Sequence, residues 1–211
     1  MGKSKKRAAP QQKKQQKKAK LNPIVIAVAV MAVVAIALVL LLLPKGGTYR
    51  VEIDIANYGT IELELDGKTA PITVDNFVSL AESGFYDGLT FHRIIDGFMI
   101  QGGDPLGNGT GGSDRDIKGE FRANGVENDI SHVRGVISMA RNGYSMDSAS
   151  SQFFIVQKDS TFLDGQYAAF GHVTNGIEIV DKICADTPVT DTNGTVESEN
   201  QPVITAIRVF D

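Results

Sequence analysis

Residues 91–104 read FHRIIDGFMIQGGD, and this stretch does most to decide the fold. Two short apolar runs, Leu89–Ile94 and Met99–Gly102, are predicted strands that flank a turn at Gly97. Short strands separated by a glycine-containing turn are typical of an antiparallel hairpin. Such a hairpin would bring together a cation, an aromatic ring, a thioether and an amide, from Arg93, Phe98, Met99 and Gln101.

The same pattern of short strands continues on both sides of this hairpin. Alternation in Tyr49–Ile55 and Gly59–Leu65 predicts a half-buried antiparallel pair, whereas Thr69–Ala81 and Gly176–Ala185 have helical spacing. Further strands are predicted at Val136–Ala140, Gln152–Val156, Ala169–Val173 and Val203–Phe210. Many short strands, frequent glycine turns and two helices predict a mostly β domain at residues 48–211. We expect a closed eight-stranded antiparallel β-barrel capped by two α-helices.

Two more stretches stand out, SASSQFFI at residues 148–155 and FLDGQYAAFG at residues 162–171. Together with residues 91–104 they closely resemble the cyclophilin family of peptidyl-prolyl cis/trans isomerases, in the same order and at compatible spacing. The resemblance extends from Thr48 to the C-terminus, and residues 107–112 and 135–140 also look like family segments. It implies a cyclophilin-like fold, an isomerase activity without a cofactor, and proline-containing polypeptides as substrates.

The resemblance also implies individual roles. Arg93 matches the catalytic arginine of the family's F-H-R motif. Four apolar residues match the pocket that receives the substrate proline: Phe98, Met99, Phe154 and Leu163. Three others match the groove that holds the substrate backbone: Gln101, Gln152 and Ala140.

Some groove positions depart from the pattern of well-studied members. Phe162 and Tyr167 stand where Trp and His are common, and because both positions stay aromatic we expect catalysis to survive. Binding of the inhibitor cyclosporin, which such a Trp favours, is expected to be weak. Arg141 and Asn142 replace smaller or neutral residues, which leaves the sequence preference beside the proline open.

The chemistry is consistent with these residues. Rotation about a peptide bond faces a barrier of about 18–20 kcal/mol, and unaided exchange at X-Pro bonds takes tens to hundreds of seconds. No covalent step is required, because a pocket for the ring and a permanent cation near the prolyl nitrogen would favour the twisted amide. The alternative function is a non-catalytic binding module or chaperone for proline-containing segments. Arg93 and Gln101 favour the enzyme.

His92 and the cysteine are predicted to be structural. His92, His132 and His172 are scattered and have no metal-ligand spacing, so no metal site is expected. His92 precedes Arg93 on a strand and should face the opposite side. Cys184 lies on the apolar face of a predicted helix and should be a buried free thiol.

Charge divides the chain sharply. Residues 1–20 contain nine Lys or Arg and no acid, which leaves 12 basic and 25 acidic residues in the rest of the chain. An acidic domain argues against nucleic-acid binding, since that relies on Lys and Arg to neutralise phosphates. The composition of the N-terminal segment, with many basic residues and no acid, predicts that residues 1–22 are a basic, disordered tail.

Ile24–Leu43 are twenty consecutive apolar residues, enough for a helix of roughly 30 Å. We therefore predict a single transmembrane anchor helix at residues 23–44, followed by a short linker at residues 45–47. The basic flank places the N-terminus in the cytoplasm and the catalytic domain outside a bacterial cell membrane. A cleaved signal peptide is the competing interpretation, but this apolar stretch exceeds the usual roughly 7–15 residues.

Overall fold

Eight strands form an antiparallel sheet within residues 46–210 of the computed structural model, which describes residues 28, 30–35 and 46–210. The strand order is β3-β4-β6-β5-β7-β2-β1-β8, and all adjacent strands are antiparallel. The strands are β1 (Thr48–Ile55), β2 (Gly59–Asp66), β3 (Thr90–Ile95), β4 (Met99–Asp104), β5 (Val136–Met139), β6 (Phe153–Val156), β7 (Ala169–Asn175) and β8 (Ile204–Phe210).

The edges of this sheet meet only at one end, so the sheet is a curled half-barrel and the predicted closed barrel is wrong in this respect. Thr90 of β3 forms an isolated bridge with Val203, immediately before β8. Beyond that bridge, residues 194–196 occupy the edge of β3. The amide of Ile94 donates to the carbonyl of Gly194 at 2.8 Å, and the amide of Val196 donates to the carbonyl of His92 at 3.1 Å. A loop therefore takes the hydrogen-bonding positions that full closure would give to β8.

Two helices pack against the sheet near the predicted positions, α1 at Pro71–Glu82 and α2 at Ile177–Asp186. One face of α1 is buried through Val74, Phe77 and Val78, and α2 buries Val180, Ile183 and Cys184. Burial raises the pKa of the Cys184 thiol to about 12, so this cysteine is an inert part of the core.

Aromatic rings fill the interior beneath the strands that carry the candidate site. Phe77 and Phe153 meet edge to face, with ring centroids 5.4 Å apart, and Phe91 contacts Phe153 in the same manner at 6.0 Å. Because successive strand residues point to opposite faces, burying Phe153 in this core turns Phe154 to the other face of the sheet. The core thus fixes which side chains of β6 face outward.

The N-terminus of α1 is stabilised by a distant carboxylate. Ala70, its N-cap residue, has no side-chain oxygen that could cap the helix. The buried carboxylate of Glu120 instead accepts hydrogen bonds from the amides of Ile72 and Thr73, at 3.0 and 2.7 Å, and from the Thr73 hydroxyl at 2.7 Å. Negative charge at a helix N-terminus also complements the helix dipole.

The predicted anchor and tail fall almost entirely outside the described residues. Residues 30–35 are helical and exposed. Among the residues that the structure describes, no helix is both long enough and apolar enough to cross a bilayer.

Candidate active site

A row of paired residues crosses four strands and carries the centre of the candidate site. Arg93 of β3 pairs with Gln101 of β4, Gln101 pairs with Phe154 of β6, and Phe154 pairs with Ser138 of β5. Directly opposed residues on neighbouring strands project from the same face of a sheet, which brings a guanidinium, an amide and an aromatic ring together.

An irregularity in β3 directs Arg93 to this face. The register of β3 against β4 shifts between Phe91 and Arg93, so that both Phe91 and His92 are buried while Arg93 is only half-buried. In a regular strand Phe91 and Arg93 would share a face, and an inward Phe91 would turn Arg93 into the core. Bulges are known to re-aim side chains next to functional sites. The sequence prediction that His92 faces the side opposite to Arg93 assumed a regular alternation of side chains along the strand, and it did not include this bulge.

The Arg93 side chain is held by acceptors on two sides. Its Nε donates to the carbonyl of Asn193 at 2.9 Å, and Nη1 donates to Oε1 of Gln101 at 3.1 Å and lies 4.0 Å from the sulfur of Met99. Burial lowers the pKa of Arg93, while the neighbouring Tyr167 and Asp191 act in the opposite direction. An arginine nevertheless stays protonated at physiological pH, so the site keeps a fixed cation.

One cavity of about 300 Å³ brings together ten of the eleven residues predicted for the site. We call it the prolyl pocket after the ligand that the sequence analysis predicts for it, and its lining consists of Arg93, Phe98, Met99, Gln101, Ala140, Arg141, Phe154, Phe162, Leu163 and Tyr167. The eleventh residue, Gln152, lines an adjoining cavity of about 310 Å³ together with residues 109–113. The Arg93 side chain therefore lines the same cavity as the apolar residues.

The floor of the prolyl pocket is apolar and firmly supported. Met99, Phe154 and Leu163 are buried in a small cluster of their own. The Phe154 ring meets Tyr167 edge to face, with centroids 5.9 Å apart. Phe162 instead lies at the rim, 66% exposed, with its ring 5.5 Å from that of Phe98.

Amide side chains link the prolyl pocket to the adjoining cavity. Nε2 of Gln101 donates to Oε1 of Gln152 at 2.9 Å, and Nε2 of Gln152 donates to the carbonyl of Gly111 at 2.7 Å. The chain of donors from Arg93 through both glutamines fixes the orientation of each amide. A bound backbone would therefore meet amides whose direction is already set.

Arg141 is anchored rather than free. Its guanidinium lies over the rings of Tyr167 and Phe121, 4.9 and 5.3 Å from their centroids, and Nε donates to the carbonyl of Gln166 at 3.0 Å. Cation–π contacts of this kind are worth about 0.5–2 kcal/mol. Arg141 is consequently a fixed part of the pocket wall, because its guanidinium is held against these two rings.

The sequence analysis missed a polar group behind the pocket. The fully buried ring of His132 stacks on Phe154, with centroids 6.0 Å apart. Its Nδ1 lies 2.9 Å from Oδ1 of Asp164 and its Nε2 lies 3.1 Å from Oγ of Ser138. Burial lowers the pKa of His132 although Asp164 opposes the shift, which favours the neutral ring. The Asp164 in FLDGQ was the available signal, but its partner lies 32 residues away.

A buried carboxylate organises the glycine-rich loop beside the site. Asp104, at the end of β4, accepts hydrogen bonds from the amides of Leu106, Asn108 and Gly109, at 2.8, 3.1 and 2.6 Å. Burial raises the pKa of Asp104, but these backbone bonds outweigh it and the net shift is downward. Asp104 is thus more acidic in the folded protein than in the unfolded chain.

We therefore expect Asp104→Asn to destabilise the protein by about 1–3 kcal/mol at pH 7, because an amide offers one acceptor oxygen in place of two. The depressed folded-state pKa stabilises the wild type above the unfolded pKa of about 3.9, and this contribution is lost as pH falls through the lower folded value. Urea unfolding should show the gap between wild type and variant narrowing below about pH 4.

Asp114→Asn is the matched control, since Asp114 is exposed on the following segment. It should leave the unfolding free energy unchanged within about 0.5 kcal/mol. A gap for Asp104→Asn that stays constant down to pH 2 would contradict the role given to its carboxylate.

The domain that carries this site is similar to known proteins. Residues 50–209 match the family described as cyclophilin type peptidyl-prolyl cis-trans isomerase/CLD. A peptidyl-prolyl cis-trans isomerase of Helicobacter pylori is 49% identical over 129 residues, which cover 60% of this chain and 76% of that protein. Peptidyl-prolyl cis-trans isomerase B of Bacillus subtilis is 50% identical over 118 residues, covering 56% and 78% of the two chains.

Solved structures give the same result. A crystal structure of a cyclophilin type isomerase from Cryptosporidium parvum has a TM-score of 0.69 at 30% identity, and it covers 78% of this chain and 99% of that chain. A second structure of the same protein, determined in the presence of the dipeptide Ala-Pro, has a TM-score of 0.67 at 31% identity, covering 77% and 99%.

Proposed function

The chain belongs to the cyclophilin family and is a peptidyl-prolyl cis-trans isomerase, and from this premise we propose how its residues act and where it works. Arg93 is the catalytic residue, and the prolyl pocket holds the substrate proline. The enzyme assists the folding of exported proteins at the outer surface of a bacterial cell membrane. The observation that carries the catalytic part is that the Arg93 side chain and an apolar floor line one cavity.

The apolar residues bind the pyrrolidine ring. A ring placed against Met99, Phe154 and Leu163 leaves water, which favours binding by roughly 25 cal/mol for each Å² buried. The ring stays in place while the preceding carbonyl rotates. Binding of the ring therefore holds the rotating bond in a fixed orientation relative to Arg93.

The cation favours the transition state over both ground states. In a planar amide the nitrogen lone pair is delocalised into the carbonyl, and twisting the C–N bond returns it to the nitrogen. A donor on Arg93 can then bond to that lone pair, an interaction that neither the cis nor the trans amide offers. No proton is transferred and no covalent bond is made or broken.

Gln101 and Gln152 hold the substrate backbone on either side of the rotating bond. Their mutual hydrogen bond of 2.9 Å keeps both amides oriented before the substrate arrives. Less conformational entropy of these side chains is therefore lost when the substrate binds. About five decades of acceleration correspond to roughly 7 kcal/mol, which positioning and one selective hydrogen bond can supply together.

The membrane assignment rests on the sequence outside the family match. The twenty apolar residues at 24–43 and the nine basic residues before them precede the matched region, which begins at residue 50. An apolar stretch of this length suits a bilayer, and the basic flank favours a cytoplasmic N-terminus. The acidic composition of the following domain suits a folding helper that does not adhere to the anionic membrane surface.

The topology predicts a clear result in a protease-accessibility experiment. Protease added to intact cells stripped of their wall should remove the isomerase domain, because that domain lies outside the membrane. A small fragment containing residues 1–22 and the apolar span should remain with the membranes and be identified by mass. Val34→Lys places a charge at the middle of the span, at a cost of about 2.5–3.5 kcal/mol, and should reduce the membrane-bound fraction.

A cytoplasmic protein of similar size serves as the integrity control and should survive the protease. Full protection of the isomerase domain in cells with intact membranes would overturn the proposed orientation. Release of an intact domain whose N-terminus lies after residue 43 would overturn the retained anchor. Neither result would affect the isomerase activity, which is measured separately.

A further inference from the structure

The wall of the prolyl pocket is held from behind by His132. A short 3-10 turn at Thr161–Leu163 carries this wall and places Leu163 in the lining of the pocket. The residues on both sides of the turn bind His132. The amide of Ser160 donates to its carbonyl at 2.7 Å, and the Asp164 carboxylate accepts from its amide and from Nδ1, at 2.7 and 2.9 Å. The turn is therefore attached to His132 just before it begins and just after it ends.

The same histidine supports the floor of the pocket. The fully buried His132 ring lies nearly parallel to the Phe154 ring, with an angle of 17° between the planes and centroids 6.0 Å apart. Its Nε2 lies 3.1 Å from Oγ of Ser138 on β5, and Ser138 is the residue that pairs with Phe154 across the sheet. The imidazole thus connects the strands beneath the pocket to the loop that forms its wall.

The hydrogen bonds determine which ring nitrogen carries the hydrogen. Burial raises the pKa of Asp164, but hydrogen bonds from His132 and Ser131 outweigh it and the net shift is downward. An ionised carboxylate can only accept, so Nδ1 of His132 carries the hydrogen and donates to Asp164. Burial also lowers the pKa of His132, which keeps Nε2 free to accept from the hydroxyl of Ser138. A neutral imidazole beside a carboxylate therefore uses both ring nitrogens.

Other contacts hold the loop farther along the chain. The amide of Ala123 donates to the carbonyl of Gly165 at 2.8 Å, and Nε of Arg141 donates to the carbonyl of Gln166 at 3.0 Å. These bonds act on residues 165 and 166. Asp164 is therefore the anchor nearest to the wall residue on that side of the turn.

We propose that Asp164 and His132 are positioning residues of the isomerase, which hold Leu163 at the distance from Phe154 that fits a pyrrolidine ring. Neither residue belongs to the lining of the prolyl pocket, so both act on the substrate through the side chains that they support. Interactions that restrict a supporting side chain keep a binding site in its productive geometry. This inference rests on the proposed binding of the substrate proline in that pocket.

The test measures kcat and KM separately for Asp164→Ala, using the full-length protein in mild detergent and NMR exchange of an Ala-Pro peptide at several concentrations. We expect KM to rise about three- to tenfold while kcat stays within about twofold, because a displaced wall weakens binding of the ring in the ground state and the transition state alike. A loss of stability alone would act differently, since less folded enzyme lowers the apparent kcat and leaves KM unchanged.

Two further variants make the comparison specific. Asp164→Asn keeps an acceptor oxygen for the amide and Nδ1 of His132, and it should return KM to within about twofold of the wild type. Asp66→Ala is the matched control, because the Asp66 carboxylate also accepts three hydrogen bonds, from the amides of Lys68 and Thr69 and from the Thr69 hydroxyl, at the end of β2. It should lower the melting temperature and leave KM unchanged.

A second measurement needs only the wild type and does not depend on the folding of a variant. NMR of isotope-labelled histidine nitrogens should show a neutral His132 ring with the hydrogen on Nδ1 and none on Nε2. A hydrogen on Nε2 in place of Nδ1 would overturn the proposed pair. An unchanged KM in folded Asp164→Ala would do the same, as would an Asp164→Asn protein as impaired as Asp164→Ala.

Leu163→Ala separates this inference from the proposed function on which it rests. If the substrate proline binds in the prolyl pocket, loss of this wall side chain should raise KM in the same assay. A KM that Leu163→Ala leaves unchanged would remove the assignment of the pocket. A rise for Leu163→Ala without one for Asp164→Ala would remove only the positioning role.

Discussion

Arg93→Ala is expected to lower kcat/KM for X-Pro isomerisation about 10²–10³-fold, which corresponds to roughly 2.7–4 kcal/mol of transition-state stabilisation. The reason is that the variant keeps the apolar pocket and both glutamines but has no donor for the prolyl nitrogen. KM should change little, because the interaction exists only in the twisted amide. Single-bond exchange in an Ala-Pro peptide, measured by NMR, gives both constants.

The fold should survive this change. Arg93 is half-buried at the surface, and its loss leaves Gln101 still bonded to Gln152. Thermal unfolding should therefore shift by only a few degrees. Arg93→Lys keeps the charge without the rigid fork of donors and should recover part of the activity.

Arg115→Ala, at an exposed position in the loop after the glycine-rich segment, is the matched control and should retain wild-type rates. If the folded Arg93→Ala protein isomerises the peptide at the wild-type rate, the lone-pair mechanism is wrong. The family membership and the fold would stand.

Glu120→Ala has the largest expected effect on stability, a loss of about 2–4 kcal/mol. The carboxylate is 2% exposed and accepts three hydrogen bonds, from two amides and one hydroxyl. Removing it leaves these donors unpaired in the interior, where each missing bond costs about 1–3 kcal/mol. Urea unfolding at pH 7 should show a lower midpoint with an unchanged slope.

Two variants bracket this result. Glu120→Gln keeps one acceptor oxygen and should lose roughly half as much stability as Glu120→Ala. Glu82→Ala, at the exposed last residue of α1, should be nearly neutral. The folded fraction of Glu120→Ala should isomerise peptides normally. A loss below about 0.5 kcal/mol would show that the helix terminus does not depend on this carboxylate.

Much of the fold was predictable because its signals are local. Alternation identified β1 and β2, and the apolar runs around the turn at Gly97 identified β3 and β4, each within one or two residues. The two helices were also found close to their observed bounds. The eleven predicted site residues came from a resemblance carried by motifs, and ten of them line one cavity.

The features that escaped prediction depend on pairs that are distant in sequence. Glu120 lies 48 residues from the helix amide it caps, and the His132–Asp164 pair spans 32 residues. One polar residue contacting a distant backbone group leaves no periodic pattern for a sequence to reveal. The bulge at His92 and the loop at residues 194–196 escaped for the same reason, since both depend on the partner strand and not on local propensity.

The loop at residues 194–196 has a consequence for how the enzyme contacts unfolded polypeptides. Unfolded chains add readily to any open sheet edge through β-augmentation, and the product of such pairing can grow. Residues 194–196 already occupy the hydrogen-bonding groups of β3 next to Arg93. A polypeptide bound at the pocket therefore cannot extend the sheet by pairing with β3 at this point. The occupied edge removes one position at which an unfolded chain could pair with the enzyme and begin a growing assembly.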